Sequence, residues 1–209
     1  MKPVADFFPR ILPHVITCPD PVAEQALVDA AIEFCGKTNI IRFTPDAVST
    51  AIGTSTYDFD IPTYQTYVRA VYVKVNGDLI APSTTLSQPL VDTANSAPTH
   101  FFVTQNESEL LLNLYPTPDA VYTLEMSIVL QPTRDAKFLD DDLFDYWQEA
   151  LVHGALYRLI GTMGQPYSDP NLARMHGSQA YHLCHNARIE GNMGRVVGSS
   201  SVKQQPFVR

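Results

Sequence analysis

The sequence predicts an α+β fold: a helical bundle of three main helices with an inserted antiparallel β-sandwich or barrel-like domain and an extended C-terminal tail. Three observations predict it. Helical periodicity occupies residues 1–38 and returns over 135–191. Between them, 39–134 is a run of short β-branched and aromatic segments divided by turn residues. The last stretch, 192–209, reads NMGRVVGSSSVKQQPFVR, with glycine and serine spacers and no acid. The expected division is a discontinuous helical body (1–38 and 135–191), an inserted β domain (39–134) and a tail (192–209).

The first element lies in 7–36, FFPRILPHVITCPDPVAEQALVDAAIEFCG, a proline-punctuated entry followed by an amphipathic helix. Asp20 suits the N-cap, and Pro21 suits the first helical position, where its missing N–H costs nothing. Ala23, Leu27, Ala30, Ala31 and Phe34 recur at helical spacing, and Gly36 offers a stop. An isolated helix of this length is marginal in water. It is therefore expected to pack on the two C-terminal helices, with Ala26, Ala30, Ala150, Gly154 and Ala155 allowing close approach.

Strands are predicted at 40–43, 56–61, 68–75, 78–81, 99–104, 109–114 and 122–130, from short runs bounded by turn residues. Asn76-Gly77, between VYVKV and DLIAP, marks a tight hairpin. Val71, Val73 and Val75 alternate with Tyr72 and Lys74, which predicts one buried face and one exposed face.

The second helix follows Asp140, Asp141 and Asp142 and runs over 143–160, with Phe144, Trp147, Leu151 and Leu159 in its apolar stripe. The third opens at Asp169-Pro170. Ala173, His176, Ala180, Leu183, Cys184 and Ala187 follow one side, and Gly191 and Gly194 are expected to end it.

Composition excludes several functions. With 14 basic and 22 acidic side chains, the net charge is 14 − 22 = −8, which argues against a surface that grips phosphate backbones throughout. Only 17% of residues are charged, below the quarter or so usual for globular domains, which fits either a polar, uncharged surface that faces other subunits or one that is simply hydrated. Cys18, Cys35 and Cys184 form no CxxC pair, and an odd count makes no disulfide framework. No stretch approaches the roughly 18 apolar residues of a membrane helix. The N-terminal MKPVADFF lacks the pattern of a signal peptide.

Candidate chemistry is sparse. His182 and His185 share a helix face, but a structural zinc site needs four ligands, and nothing in the sequence forces His153 and His176 to join them. Asp140, Asp141, Asp142 and Asp145 could attract a cation, yet acids at a helix start are what the macrodipole favours. Glu149 and His153 lie four apart without the HExxH motif, and GxSxG, GxxxxGK[ST] and GxGxxG are absent. No catalytic, cofactor or metal residues are therefore assigned, and no enzyme activity is expected. The β zone carries Tyr57, Phe59, Tyr64, Tyr67, Tyr72, Phe101, Phe102 and Tyr115, which suit a core, a subunit interface or a sugar-binding face.

The FFPRILPHV entry, the DPVAEQALVDAAIEFC helix, the β insertion, the DDDLFDYWQEALVHGALYRL helix, the DPNLARMH helix and the basic tail together resemble the head-to-tail adaptor (connector) proteins of short-tailed bacteriophages. The resemblance spans most of the chain. Its most specific pieces are the first helix and LFDYWQEALVHGALYRL; the β zone is generic. The family implies a dodecameric homo-oligomeric ring in the virion neck, assembled in the host cytoplasm. The ring joins the portal protein to the tail nozzle protein and passes DNA without sequence-specific binding. By position and composition, a portal-binding role carries over to Arg195, Val196, Val197, Val202, Lys203, Phe207, Val208 and Arg209. The alternatives are a tail-completion or nozzle protein and a carbohydrate-binding module; a hydrolase built around His153 or His185 ranks behind both.

Overall fold

The computed structural model describes residues 1–83, 95–106 and 109–193. The entry is ordered: 3-10 turns at Val4–Phe7 and Leu12–His14 flank a single-turn helix, α1 (Phe8–Ile11). They aim Val4, Phe7, Ile11 and Val15 into the core, where none is more than 2% exposed.

Helix α2 spans Asp20–Thr38. Pro19, not Asp20, holds the N-cap position, and no side chain caps this end. Gly36 does not stop the helix. Asn39 does, in the left-handed conformation at φ 57°, with its N–H donating to the Cys35 carbonyl at 3.2 Å. Asparagine tolerates that backbone region and so can close a helix as glycine does.

Helix α3 (Asp141–Asp145) begins with Asp140 accepting a hydrogen bond from the Asp142 N–H at 3.0 Å, and α4 (Gln148–Gly161) follows. The single helix predicted over 143–160 is thus interrupted at Tyr146 and Trp147. On either side of the break, Phe144 meets Phe7 edge-on with centroids 5.2 Å apart, and Trp147 meets Phe34 at 5.7 Å. Helix α5 (Pro170–Met193) starts where Asp169 Oδ1 accepts from the Asn171 and Leu172 N–H groups. It runs through Gly191, which the sequence had suggested as its end.

The strands are β1 (Lys2–Pro3), β2 (Arg42–Phe43), β3 (Val48–Ser49), β4 (Thr56–Asp60), β5 (Gln65–Val75), β6 (Asp78–Leu79), β7 (Ala81–Pro82), β8 (His100–Asn106), β9 (Glu109–Tyr115), β10 (Thr123–Pro132) and β11 (Phe138–Leu139). They form three sheets: β1–β11; a five-stranded sheet ordered β2-β10-β5-β6 with β3 also on β10; and β4-β9-β8-β7. All pairs are antiparallel except β7–β8, which is parallel. Asn76 (φ 52°) and Gly77 (φ 89°) make the tight turn that pairs Val75 with Asp78, the double positive φ expected of a type I′ hairpin.

One expected alternation fails. Val73 and Val75 are buried, but Val71 is exposed. The register between β5 and β10 jumps from Tyr72↔Ser127 to Ala70↔Ile128, leaving Val71 in a bulge. An extra residue at that point reverses which face the preceding side chains take.

The expected bundle of three main helices bearing its own β-sandwich or barrel-like domain does not form. Among the described residues there are five α-helices and three sheets, and one hydrophobic cluster runs through helices and strands alike. The reason lies in α2, which packs on α4 and α5 on one side and on β10 on another. Its buried residues, including Ala23, Leu27, Val28, Ala31, Phe34 and Cys35, surround more than a single stripe. A helix apolar over so much of its circumference needs partners on several sides.

Candidate functional site

Helices α2 and α4 run antiparallel, with Phe34 beside Trp147 at one end of the seam and Glu33 paired with Arg158 further along. They approach closely because Gly154 has no side chain: a Cβ there would lie 3.1 Å from the Ala30 Cβ. Helix α5 passes just as close to the end of α2. A Cβ on Gly191 would stand 2.2 Å from the Thr38 carbonyl oxygen, a separation no side chain can occupy, and the Gly191 carbonyl accepts a hydrogen bond from Arg42.

Between α2, α4 and α5 lies a groove of about 810 Å³. Among the described residues its charged lining is Lys37, Arg69, Arg158, Arg174 and Arg188, joined by His185, with Glu33 as the one carboxylate. Glu33 is hydrogen-bonded by Lys37 and Arg158. The bond from Lys37, followed by that from Arg158, holds its carboxyl below the usual range against the opposing effect of burial. Lys37 is pushed up in turn by Glu33. Arg69 donates to the Gly36 carbonyl at 2.8 Å. Arg174, Arg188, Tyr157 and Tyr181 are exposed. With one acid already engaged by two cations, the groove presents positive charge and aromatic surface.

A second cluster lies beside the α4–α5 seam. His153 Nδ1 and His176 Nδ1 are 2.7 Å apart, the His14 ring is 5.9 Å from that of His176, and Glu149 Oε1 is 3.8 Å from His153 Nε2. His176 is buried, and its pKa is pushed down, first by burial and then by the charges of His153 and His14. No motif spacing brings His153 and His176 together. The signal was the short connection between α4 and α5, which folds them into a hairpin and brings residues on either side of the turn into contact.

The other candidates fall out as follows. His182 and His185 are exposed on α5, and only His185 reaches the groove. Among the described residues, no group of three or more His, Cys, Asp or Glu is placed to hold a metal ion. Of the β-zone rings, Tyr57, Phe59 and Phe101 are buried in the core and half-buried Tyr67 packs against it, whereas Tyr64, Tyr72 and Tyr115 are half-buried and Phe102 is exposed. Cys18, Cys35 and Cys184 are free thiols. Among the described residues no helix is long and apolar enough to cross a membrane. The tail residues Arg195, Val196, Val197, Val202, Lys203, Phe207, Val208 and Arg209 lie outside the described residues.

What the helices assemble here is a basic groove between packed elements, with no nucleophile–base pair or metal-ligand set among its described lining residues. The family model of the SU10 adaptor proteins matches residues 4–199, from the entry turns through α5 and beyond. The chain belongs to the SU10 adaptor protein family, a family of structural phage adaptors and not a class of enzymes. No curated protein matches the sequence.

Proposed function

We propose that this protein is the head-to-tail adaptor of a tailed bacteriophage: copies form a ring in the virion neck that joins the portal protein to the tail nozzle and lets DNA pass. The observation that carries this reading is the family match over residues 4–199, which takes in the entry, the helices and the sheets together. The net charge of −8 suits a channel that DNA must slide through, because a cationic lining would hold the phosphates. In this reading 1–38 and 135–191 act as the helical body, 39–134 as a β unit and 192–209 as a docking tail.

Attachment to the portal falls to Arg195, Val196, Val197, Val202, Lys203, Phe207, Val208 and Arg209. Glycine and serine give the tail reach, its basic residues steer it toward an acidic partner, and Val202, Phe207 and Val208 supply apolar anchors. Ordering such a segment costs on the order of 1–2 kcal/mol per residue in backbone entropy. A single tail therefore binds weakly, and many tails in a ring gain about 10²–10⁴ by avidity. The test is electron microscopy of the full chain mixed with portal-bearing heads, beside a version lacking 195–209. The full chain is expected to add a ring below the portal, and the shortened chain to fold and melt as before without attaching. A full chain that adds no density at the portal vertex would overturn the adaptor reading, and normal attachment of the shortened chain would overturn the role of the tail.

A further inference from the structure

The distribution of charge carries one inference further. The chain has 14 cations against 22 carboxylates, so two copies repel at a distance unless their positive charge is concentrated at the contact. It is concentrated: Lys37, Arg69, Arg158, Arg174 and Arg188 all line the groove between α2, α4 and α5, against one acid, Glu33, among the described residues.

The opposite situation exists on the four-stranded sheet. Asp58 and Asp60 project from the exposed face of β4, which is the outer strand of that sheet. Glu109 of β9 is exposed and lies directly across from Asp60 in the antiparallel register. Like charges in directly opposed positions destabilise a strand pair, and none of these three carboxylates forms an ion pair among the described residues. An external cation would relieve them.

We propose that the basic groove between α2, α4 and α5 receives the acidic β4–β9 edge of a second copy of this chain. The proposal rests on the ring reading above. A ring closes through a head-to-tail contact in which each subunit offers two different surfaces, and these two surfaces differ in sign as such a contact requires. The chain's own tail does not suit the groove: Arg195, Lys203 and Arg209 make it basic, with no acid. Glu33 remains with Lys37 and Arg158, while the exposed guanidiniums of Arg174 and Arg188 meet the incoming carboxylates. Arginine forks suit carboxylates geometrically as well as electrostatically.

The test is sedimentation of the full chain in four forms: unaltered, R174E/R188E, D58K/D60K, and all four changes combined. All substituted side chains are exposed, and melting curves check that each form folds. The unaltered chain is expected to associate, less so as salt rises. Each double variant should raise the concentration needed for association by about a hundredfold, and the combined variant should recover it, because both signs are then reversed. Association of either double variant at the unaltered concentration overturns the proposal and leaves the ring standing. An unaltered chain that stays monomeric at every concentration and salt overturns the ring and the proposal together. Groove variants that self-associate normally but lose attachment to portal-bearing heads, or lose retention of duplex DNA, assign the groove to that partner and overturn the proposal.

Discussion

The seam where α2 meets α4 and α5 and the outer edge of the β4–β9 pair are built on opposite terms. At the seam, fit is tight: Gly154 sits against Ala30, Gly191 against the Thr38 backbone, and Trp147 against Phe34. At the edge, three exposed carboxylates occupy neighbouring positions with Asp60 facing Glu109. The seam therefore holds the chain in one shape, and its residues have little freedom to change. The edge carries local repulsion that the proposed contact with a second copy would relieve.

Trp147→Ala challenges the seam most severely. It removes a large ring that is 8% exposed and is expected to cost about 3–5 kcal/mol, read as a lower denaturant midpoint; an unchanged midpoint would mean that the seam does not depend on its aromatic contact. Gly191→Ala comes next. Its new methyl group would meet the Thr38 carbonyl 2.2 Å away, a backbone atom that cannot swing aside, and a loss of about 1–3 kcal/mol is expected. Equal stability of this variant in thermal melts would show that the two helices can separate there without penalty.

Acid sharpens the contrast through His176, whose folded pKa lies below its ordinary value. A folded state that binds fewer protons than the unfolded chain becomes more stable as pH rises. The contribution of His176 is complete above its unfolded pKa of about 6.5 and is lost as pH falls from there through the folded value. The melting temperature should therefore drop between neutral and mildly acidic pH, and the drop should shrink in His176→Gln; an equal drop in the variant would assign it elsewhere. Smallest is Glu109→Lys, which replaces the repulsion at Asp60 with attraction. It should stabilise the dissociated chain by about 0.2–1 kcal/mol, and a destabilised variant would mean that the edge is not repulsive.

The sequence revealed the helical side through spacing and punctuation. Asp169-Pro170 marked the start of α5, and the small residues at Ala30 and Gly154 marked a close crossing that the structure contains. Two glycines misled because glycine serves both to end helices and to let them touch: Gly36 and Gly191 lie inside α2 and α5. The longer strands were legible from alternation and the Asn76-Gly77 turn, whereas β1, β3 and β11, of two residues each, are too short to show a period. The bulge at Val71 was hidden because it arises from pairing with β10, not from β5 itself. The shared core of helices and sheet was hidden for a similar reason, since periodicity shows that a helix buries a face without naming its partner. The groove shows the same limit: its cations come from residues 37, 69, 158, 174 and 188, and only the tertiary fold collects them.

The placement of α2 governs how the chain can be made. The entry turn Val4–Phe7 precedes it, yet most of the surface that covers it belongs to β10, α4 and α5, which are translated later. At elongation rates of about 5–20 residues per second, the faces of α2 that these later elements cover wait on the order of ten seconds for their partners. Burial of α2 is thus complete only after α5 has been synthesised, and until then its apolar residues are the kind of surface that chaperones cover. A nascent copy that stops short within α5 leaves part of α2 uncovered, and exposed apolar surface of that kind favours aggregation.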